Sequence, residues 1–158
     1  MKIIIYTDGS AKGNPGPGGY GAILETSDRK FKKELYQGYR KTTNNRMELL
    51  AVIVALEALK RPSDVLVWSD SKYVVDSVLK GWVFGWEKKN FAKRINSDLW
   101  RRFLVIYRKH KVDFKWIKGH AGHPGNERAD QLAVKGAESK DLLVDKGYEM
   151  EENNDSLF

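Results

Sequence analysis

A chain of 158 residues that is 41% hydrophobic carries enough apolar material for one domain with a buried core and has little length left for a second. It contains no cysteine, which excludes disulfide stapling, thiolate catalysis and cysteine-ligated zinc or iron–sulfur sites. Lys and Arg total 28 against 21 Asp and Glu, a net charge of +7, and six of the acids crowd the stretch from Asp141 onward, where Lys146 is the only base. The body of the chain is therefore strongly basic and suits a polyanionic partner. The apolar run after Met1 is too short for a signal peptide, and no segment approaches the length of a membrane span. A soluble, cytoplasmic protein that does not engage a membrane is expected, and a monomer, since no apolar helix is left over for an obligate interface.

The first elements read as strands. Ile3-Ile4-Ile5-Tyr6 is a short apolar run suited to a strand buried on both faces, and Asp8 stands at its end. A glycine- and proline-rich loop is expected from Gly9 to Gly19, then two strands, Tyr20 to Thr26 and Phe31 to Tyr39, joined by a polar turn. From Asn44 to Lys60 the period becomes helical, with Met47, Leu50, Ile53, Val54, Leu56 and Leu59 on a broad apolar face, Thr43, Asn44 or Asn45 as caps, and Pro62 as a stop. A second buried strand, Val65 to Trp68, ends at Ser69-Asp70 and is followed by a short helix, Lys72 to Leu79.

Between Lys80 and Lys111 ten Lys/Arg face two acids, interleaved with Trp82, Phe84, Trp86, Phe91 and Trp100. Such a stretch suits a nucleic-acid backbone with rings to stack on sugars or bases, or else a solvated helix face. A helix from Asn96 or Ser97 to about His110, a strand from Val112 to Ile117, a loop, and a last helix opening at Pro124 or Gly125 complete the pattern. Strand–helix–strand connections make parallel neighbours while the early pair is antiparallel, so an α/β fold with a mixed sheet flanked by helices is expected.

Two buried strands thus end in an aspartate, Asp8 and Asp70, and the carboxyl ends of parallel strands share the edge where ligands bind. Glu48 falls in the first turn of one helix and Asp130 in the helix after the third such strand. Together, four unshielded carboxylates would repel one another, a penalty that hard cations such as Mg²⁺ remove. Singly, each acid could serve as a helix cap or a turn residue. The segment from Gly16 to Gly21 satisfies G-x-G-x-x-G, but strand and not helix follows it, so a tight hairpin entry with close backbone approach is the better reading. The H-x-x-H spacing of His120 and His123 does not make a zinc site without further ligands; His120, in a glycine-flanked loop, is placed either to move protons or simply as a loop residue. Neither Ser10 nor Ser71 sits on a nucleophile elbow.

The segments Tyr6-Thr7-Asp8-Gly9-Ser10, Gly13 to Gly21, Thr43-Asn44-Asn45-Arg46-Met47-Glu48-Leu49, Ser69-Asp70-Ser71 and Lys118 to Asp130 stand in one order, and together they resemble bacterial-type ribonuclease HI from residue 2 to about Tyr148. The resemblance implies a five-stranded mixed sheet of order 3-2-1-4-5 and a metal-dependent endonuclease that hydrolyses the RNA strand of RNA/DNA hybrids, leaving 5′-phosphate and 3′-hydroxyl ends. It implies a catalytic domain over 1–140, followed by an extension over 141–158 whose acidic charge leads us to expect no structure beyond about 149. Asp8, Glu48, Asp70 and Asp130 would hold two Mg²⁺ ions, with Mn²⁺ as a possible substitute, and His120 would assist proton transfer or product release.

The resemblance further matches Asn14, Asn44 and Asn45 to contacts with the RNA strand, and Lys41, Thr43, Trp82, Trp86 and Asn96 to contacts with the DNA strand. Lys88, Lys89, Lys93 and Arg94 fall in a basic protrusion, where Glu87 and Phe91 interrupt the family's pattern; Lys72 stands where some members carry glutamine. A catalytically silent hybrid- or double-strand-RNA-binding module would leave the four acids without a reason, and another nuclease or an integrase of this architecture acting on DNA would leave the asparagines without one.

Overall fold

The computed structural model describes residues 2–119 and 121–156, the last four of these as backbone only. Three antiparallel strands come first, β1 (Lys2–Ala11), β2 (Gly16–Thr26) and β3 (Lys32–Thr42), followed by α1 (Asn44–Glu57) and β4 (Asp64–Ser69). Three helices, α2 (Lys72–Leu79), α3 (Trp82–Lys88) and α4 (Ser97–Tyr107), precede β5 (Lys111–Trp116), and α5 (Pro124–Ala137) and α6 (Lys146–Ser156) end the chain. The sheet runs β3-β2-β1-β4-β5, with β1, β4 and β5 parallel, as the strand–helix–strand pattern requires.

One face of the sheet carries the main core. Ile5, Ala22, Leu24, Val65, Val67 and Phe114 meet α1, α2 and α4, where Trp100 and Phe103 are fully enclosed. Periodicity assigns α1 one apolar face, whereas the structure buries it on nearly every side, Arg46 and Glu48 included, because α4 covers the flank that the sheet does not. Of the three available caps, Thr43 is the one used; its side chain accepts a hydrogen bond from the Arg46 N–H at 3.2 Å.

The second face is covered by α5. Of the glycines expected in a loop, Gly16, Gly18 and Gly19 belong to β2 and Gly9 to β1, and only residues 12–15 connect the two strands. The close backbone approach in β2 is to α5: a Cβ on Gly21 would meet the backbone of Ala129 and Ala133, and one on Gly19 that of Ala133 and Ala137. The strand thus gives up side chains so that a helix can lie directly on it.

Two further segments depart from expectation. The basic–aromatic stretch contains a helix, α3, and then a tight turn in which Asn90, Phe91, Lys93 and Asn96 all have φ between 54° and 61°. This left-handed backbone costs energy in residues other than glycine, and burial of Phe91 and Asn96 holds it in place. The acidic extension, expected to be unstructured beyond about 149, runs instead as α6 through Ser156. The helix starts directly after Asp145, whose carboxylate caps its first turn and is itself held by a distant arginine.

That arginine is Arg46, whose side chain is only 1% exposed. Its Nε and Nη2 donate to the Asp145 carboxylate at 2.8 and 2.9 Å, and Nη1 and Nη2 donate to Asp98 at 2.8 and 2.7 Å. Thr42 Oγ1 also donates to Asp145, at 2.7 Å. Arg46→Ala should lower stability by about 3–5 kcal/mol, because it leaves the buried Asp145 charge without its partner. Urea denaturation would register this as a lower midpoint with an unchanged slope.

Candidate active site

The parallel register between β1 and β4 pairs Tyr6 with Trp68, so that two residues further on Asp8 and Asp70 come side by side at the same sheet edge. Glu48 arrives from α1. Gly9 makes this possible, since a Cβ there would run into the backbone of Met47 and Glu48, and its N–H donates to Glu48 Oε1 at 2.6 Å. Carboxylate oxygens of Asp8, Glu48 and Asp70 all lie within 4.8 Å of one another. Asp130, in α5, stands close enough to Asp8 to influence its ionisation by hydrogen bonding and charge, although it is not one of that mutual triplet.

Such an arrangement is electrostatically unfavourable by itself. Burial pushes the Asp8 carboxyl up to about 8, and the charges of Asp70 and Asp130 push the same way against a hydrogen bond with Glu48 that lowers it. Glu48 is raised well above the usual carboxylate range, chiefly by burial and then by Asp8. Its Oε2 is buried with no hydrogen-bond partner among the described residues. An orphaned carboxylate oxygen within a cluster of hard oxygen donors fits a divalent cation such as Mg²⁺, which supplies both the missing partner and the missing positive charge. The donor set offers no nitrogen or sulfur, consistent with that choice.

Around this cluster lies a polar, basic and aromatic face. Asn14, Asn44 and Asn45 stand at the entry to α1. Asn14 Oδ1 accepts from the Asn44 N–H at 3.0 Å and Asn44 Oδ1 from the Ala11 N–H at 2.6 Å, leaving the NH₂ groups of both side chains as donors. Thr43 and Asn96 line a cleft of about 380 Å³ next to Asn14 and Asn45. Asn96 is held by Tyr73 Oη at 3.1 Å and by Arg46, and Lys41 by Glu152 at 2.7 Å.

On α3 the Trp82 ring is 46% exposed, while Trp86 lies edge-on to Trp100 and carries the Arg94 guanidinium over its face at 4.9 Å. Lys88, Lys89, Lys93 and Arg94 surround the following turn on the protein surface. His120 lies outside the described residues. Its neighbour Gly119 passes so close to Asp70 that a Cβ would stand 2.9 Å from Oδ2. His123 caps α5 through Nδ1, at 3.4 Å from the Asn126 N–H, and packs between Tyr6 and Trp68.

Sequence reasoning misses two contributors. Trp116, at the end of β5, donates from Nε1 to the Asp70 carbonyl at 3.1 Å, and the Lys72 ammonium lies 4.5 Å from its ring centre. A tryptophan on the core parity of a strand yet 43% exposed is a signal that only coordinates provide. The acidic residues of α6 are the other, since nothing local in the sequence ties them to β3.

This fold and this carboxylate cluster define a nuclease of the ribonuclease H class. The "RNase H" family model matches residues 1–138, and the chain belongs to that family. Curated relatives include a ribonuclease H of Shewanella amazonensis, 52% identical over 153 residues that cover 94% of this chain and 96% of the relative. A ribonuclease HI of Synechocystis is 46% identical over 151 residues, covering 92% and 94%. Among solved structures, LC9-RNase H1, described as a type 1 RNase H with the type 2 active-site motif, superposes with a TM-score of 0.77 at 32% identity over 94% of this chain and 79% of that one. LC11-RNase H1, solved in complex with an RNA/DNA hybrid, gives 0.63 at 26% identity over 85% and 96%.

Without a cation, Asp8 and Glu48 hold protons to higher pH folded than unfolded. Their contribution to stability is therefore greatest below about pH 4 and falls as pH rises towards about 8. In chelator, Asp8→Asn should flatten this decline and melt above the parent at pH 8–9, every tenfold difference in proton affinity between the folded and unfolded chain being worth about 1.4 kcal/mol. Thermal melts of both proteins between about pH 5 and 9 would show the two curves diverging upward in pH.

Proposed function

We propose that this chain is an endonuclease that hydrolyses the RNA strand of RNA/DNA hybrids, with Asp8, Glu48, Asp70 and Asp130 holding two divalent cations, Mg²⁺ or in its place Mn²⁺. The observation that carries the reading is the convergence of three carboxylates within 4.8 Å on the edge of a basic, aromatic face. Membership of the ribonuclease H family and the hybrid bound by LC11-RNase H1 support the choice of substrate. Cations in that cluster would supply positive charge against the entering water and the departing oxygen. In the reaction, water forms a new bond to phosphorus, the bond from phosphorus to the 3′-oxygen breaks, and that oxygen takes up a proton, giving 5′-phosphate and 3′-hydroxyl ends. His120 is assigned the proton transfer or the release of product.

The chain's own residues select the substrate. The amides of Asn14, Asn44 and Asn45 both donate and accept, which suits the 2′-hydroxyls displayed across the shallow groove of a hybrid and absent from DNA. Lys41, Thr43 and Asn96 grip a phosphate of the DNA strand, and Trp82 and Trp86 receive a deoxyribose that has no hydroxyl to obstruct flat packing. Lys88, Lys89, Lys93 and Arg94 add affinity independent of sequence and sensitive to salt. No helix among the described residues is long and apolar enough to cross a membrane, and we read the enzyme as a cytoplasmic monomer.

With Mg²⁺, the purified protein should cut a uniformly labelled hybrid, spare single-stranded RNA and duplex DNA, and stop when chelator is added; an intact hybrid would point to a binding module. Asp8→Asn should reduce turnover by roughly a thousandfold or more, the scale of losing a central charge-stabilising group, with hybrid affinity changed by no more than about threefold. Lys89→Ala should leave the cleavage pattern intact and lower the slope of log affinity against log salt by about one, as read by anisotropy titrations at several salt concentrations.

A further inference from the structure

The C-terminal helix is seated where the proposed DNA strand would bind. Its position is imposed by the segment before it: Leu143 N–H donates to the Gly38 carbonyl at 3.0 Å and Arg40 N–H to the Leu143 carbonyl at 2.8 Å, which ties the chain to the free edge of β3. Asp145 is then locked by Arg46 and Thr42, and its Oδ1 accepts from the Tyr148 N–H at 3.3 Å in the first turn of α6. Gly147 passes directly over the Arg46–Asp98 pair, where a Cβ would collide with the Asp98 carboxylate.

From this anchor α6 presents two acids three residues apart, and therefore on one helix face, to two adjacent cations of β3. Glu149 takes a two-pronged contact from Arg40 at 2.9 and 2.8 Å, and Glu152 takes Lys41 Nζ at 2.7 Å while Tyr148 Oη donates to its other oxygen at 3.2 Å. The 380 Å³ cleft has Thr43, Asn45 and Asn96 on one side and Tyr148, Glu151 and Glu152 on the other. The acidic helix is thus one wall of the pocket that the proposed function gives to a DNA phosphate.

We propose that Glu152 of α6 stands in for that phosphate, occupying Lys41 in the free enzyme and competing with the hybrid's DNA strand, so that the C-terminal helix sets substrate affinity. This rests on the functional reading above. An ammonium 2.7 Å from a carboxylate donates there what a phosphate oxygen would need. A hybrid entering the cleft must break the contact and also bring its own negative charge up to Glu149, Glu151 and Glu152. Exposed pairs of this kind are weak, which makes the device a reversible brake on binding that does not abolish it.

The test uses the full chain and a hybrid oligonucleotide in chelator, so that binding is read apart from cleavage. Glu152→Gln should tighten hybrid binding about two- to fivefold at ~50 mM salt, with the gain shrinking at ~300 mM as screening removes it. With Mg²⁺ the same variant should show a correspondingly lower KM. Glu57→Gln makes the same change in net charge at the Arg102 pair on the far end of α1 and should give no gain. In a Lys41→Met background, which itself binds less tightly, Glu152→Gln should add nothing further. An equal gain from Glu57→Gln, a gain that survives Lys41→Met, or no gain in a protein whose melt shows it folded would each overturn the inference. If the parent cleaves the hybrid while Glu152→Gln binds no better, the inference alone fails; if the parent does not cleave it at all, the functional reading fails first.

Discussion

Like charges held together out of water are the costliest thing this fold contains, and much of its architecture serves to keep them there. Asp8 and Glu48 are nearly enclosed, their ionisation is pushed upward by burial and by neighbouring carboxylates, and one oxygen of Glu48 has no partner among the described residues. A chain selected for stability alone would place amides or apolar groups at these positions. The surrounding elements instead fix them: parallel strands bring two ends to one edge, and the absence of a side chain on Gly9 admits the start of α1 against β1. Such a cluster is a site prepared for cationic charge and, through it, for a phosphate backbone.

A second charged centre, built on the opposite principle, supports it. Arg46 is buried with two aspartates matched to its planar fork, so its charge is satisfied where those of the acids at the sheet edge are not. It lies two residues from Glu48 and links the start of α1 to the entry of α4 and to the C-terminal segment. The polar face from Asn14 to Asn96 is assembled around that junction, so the groups that would read the two strands of a hybrid share one rigid support with the carboxylates that would act on it.

Local signals in the sequence are strong wherever a residue's role depends on its immediate neighbours. The presence of the five strands, a cap for α1 among Thr43, Asn44 and Asn45, the length of α2 and the opening of α5 at Pro124 or Gly125 all follow from period, capping and proline chemistry, while the structure selects Thr43 and Pro124. The positions of the acids at strand ends are also legible, since parallel topology sends those ends to a common edge. The glycines of β2 are recognisable as a place of close approach, but what approaches them, α5, is more than a hundred residues away in the chain and leaves no local trace.

The sequence by itself therefore determined the mixed sheet, the family resemblance and the set of acids and asparagines available for chemistry, because short-range periodicity and motif order encode these directly. Only the tertiary structure decided that three of the carboxylates meet within 4.8 Å, that Trp116 holds the backbone of Asp70, and that the acidic end becomes a helix lying on Arg40 and Lys41. Each of those outcomes depends on groups remote in the chain coming close together, since a hydrogen bond needs contact and exposed charges are screened beyond about 10 Å, so only folding can bring the partners within reach.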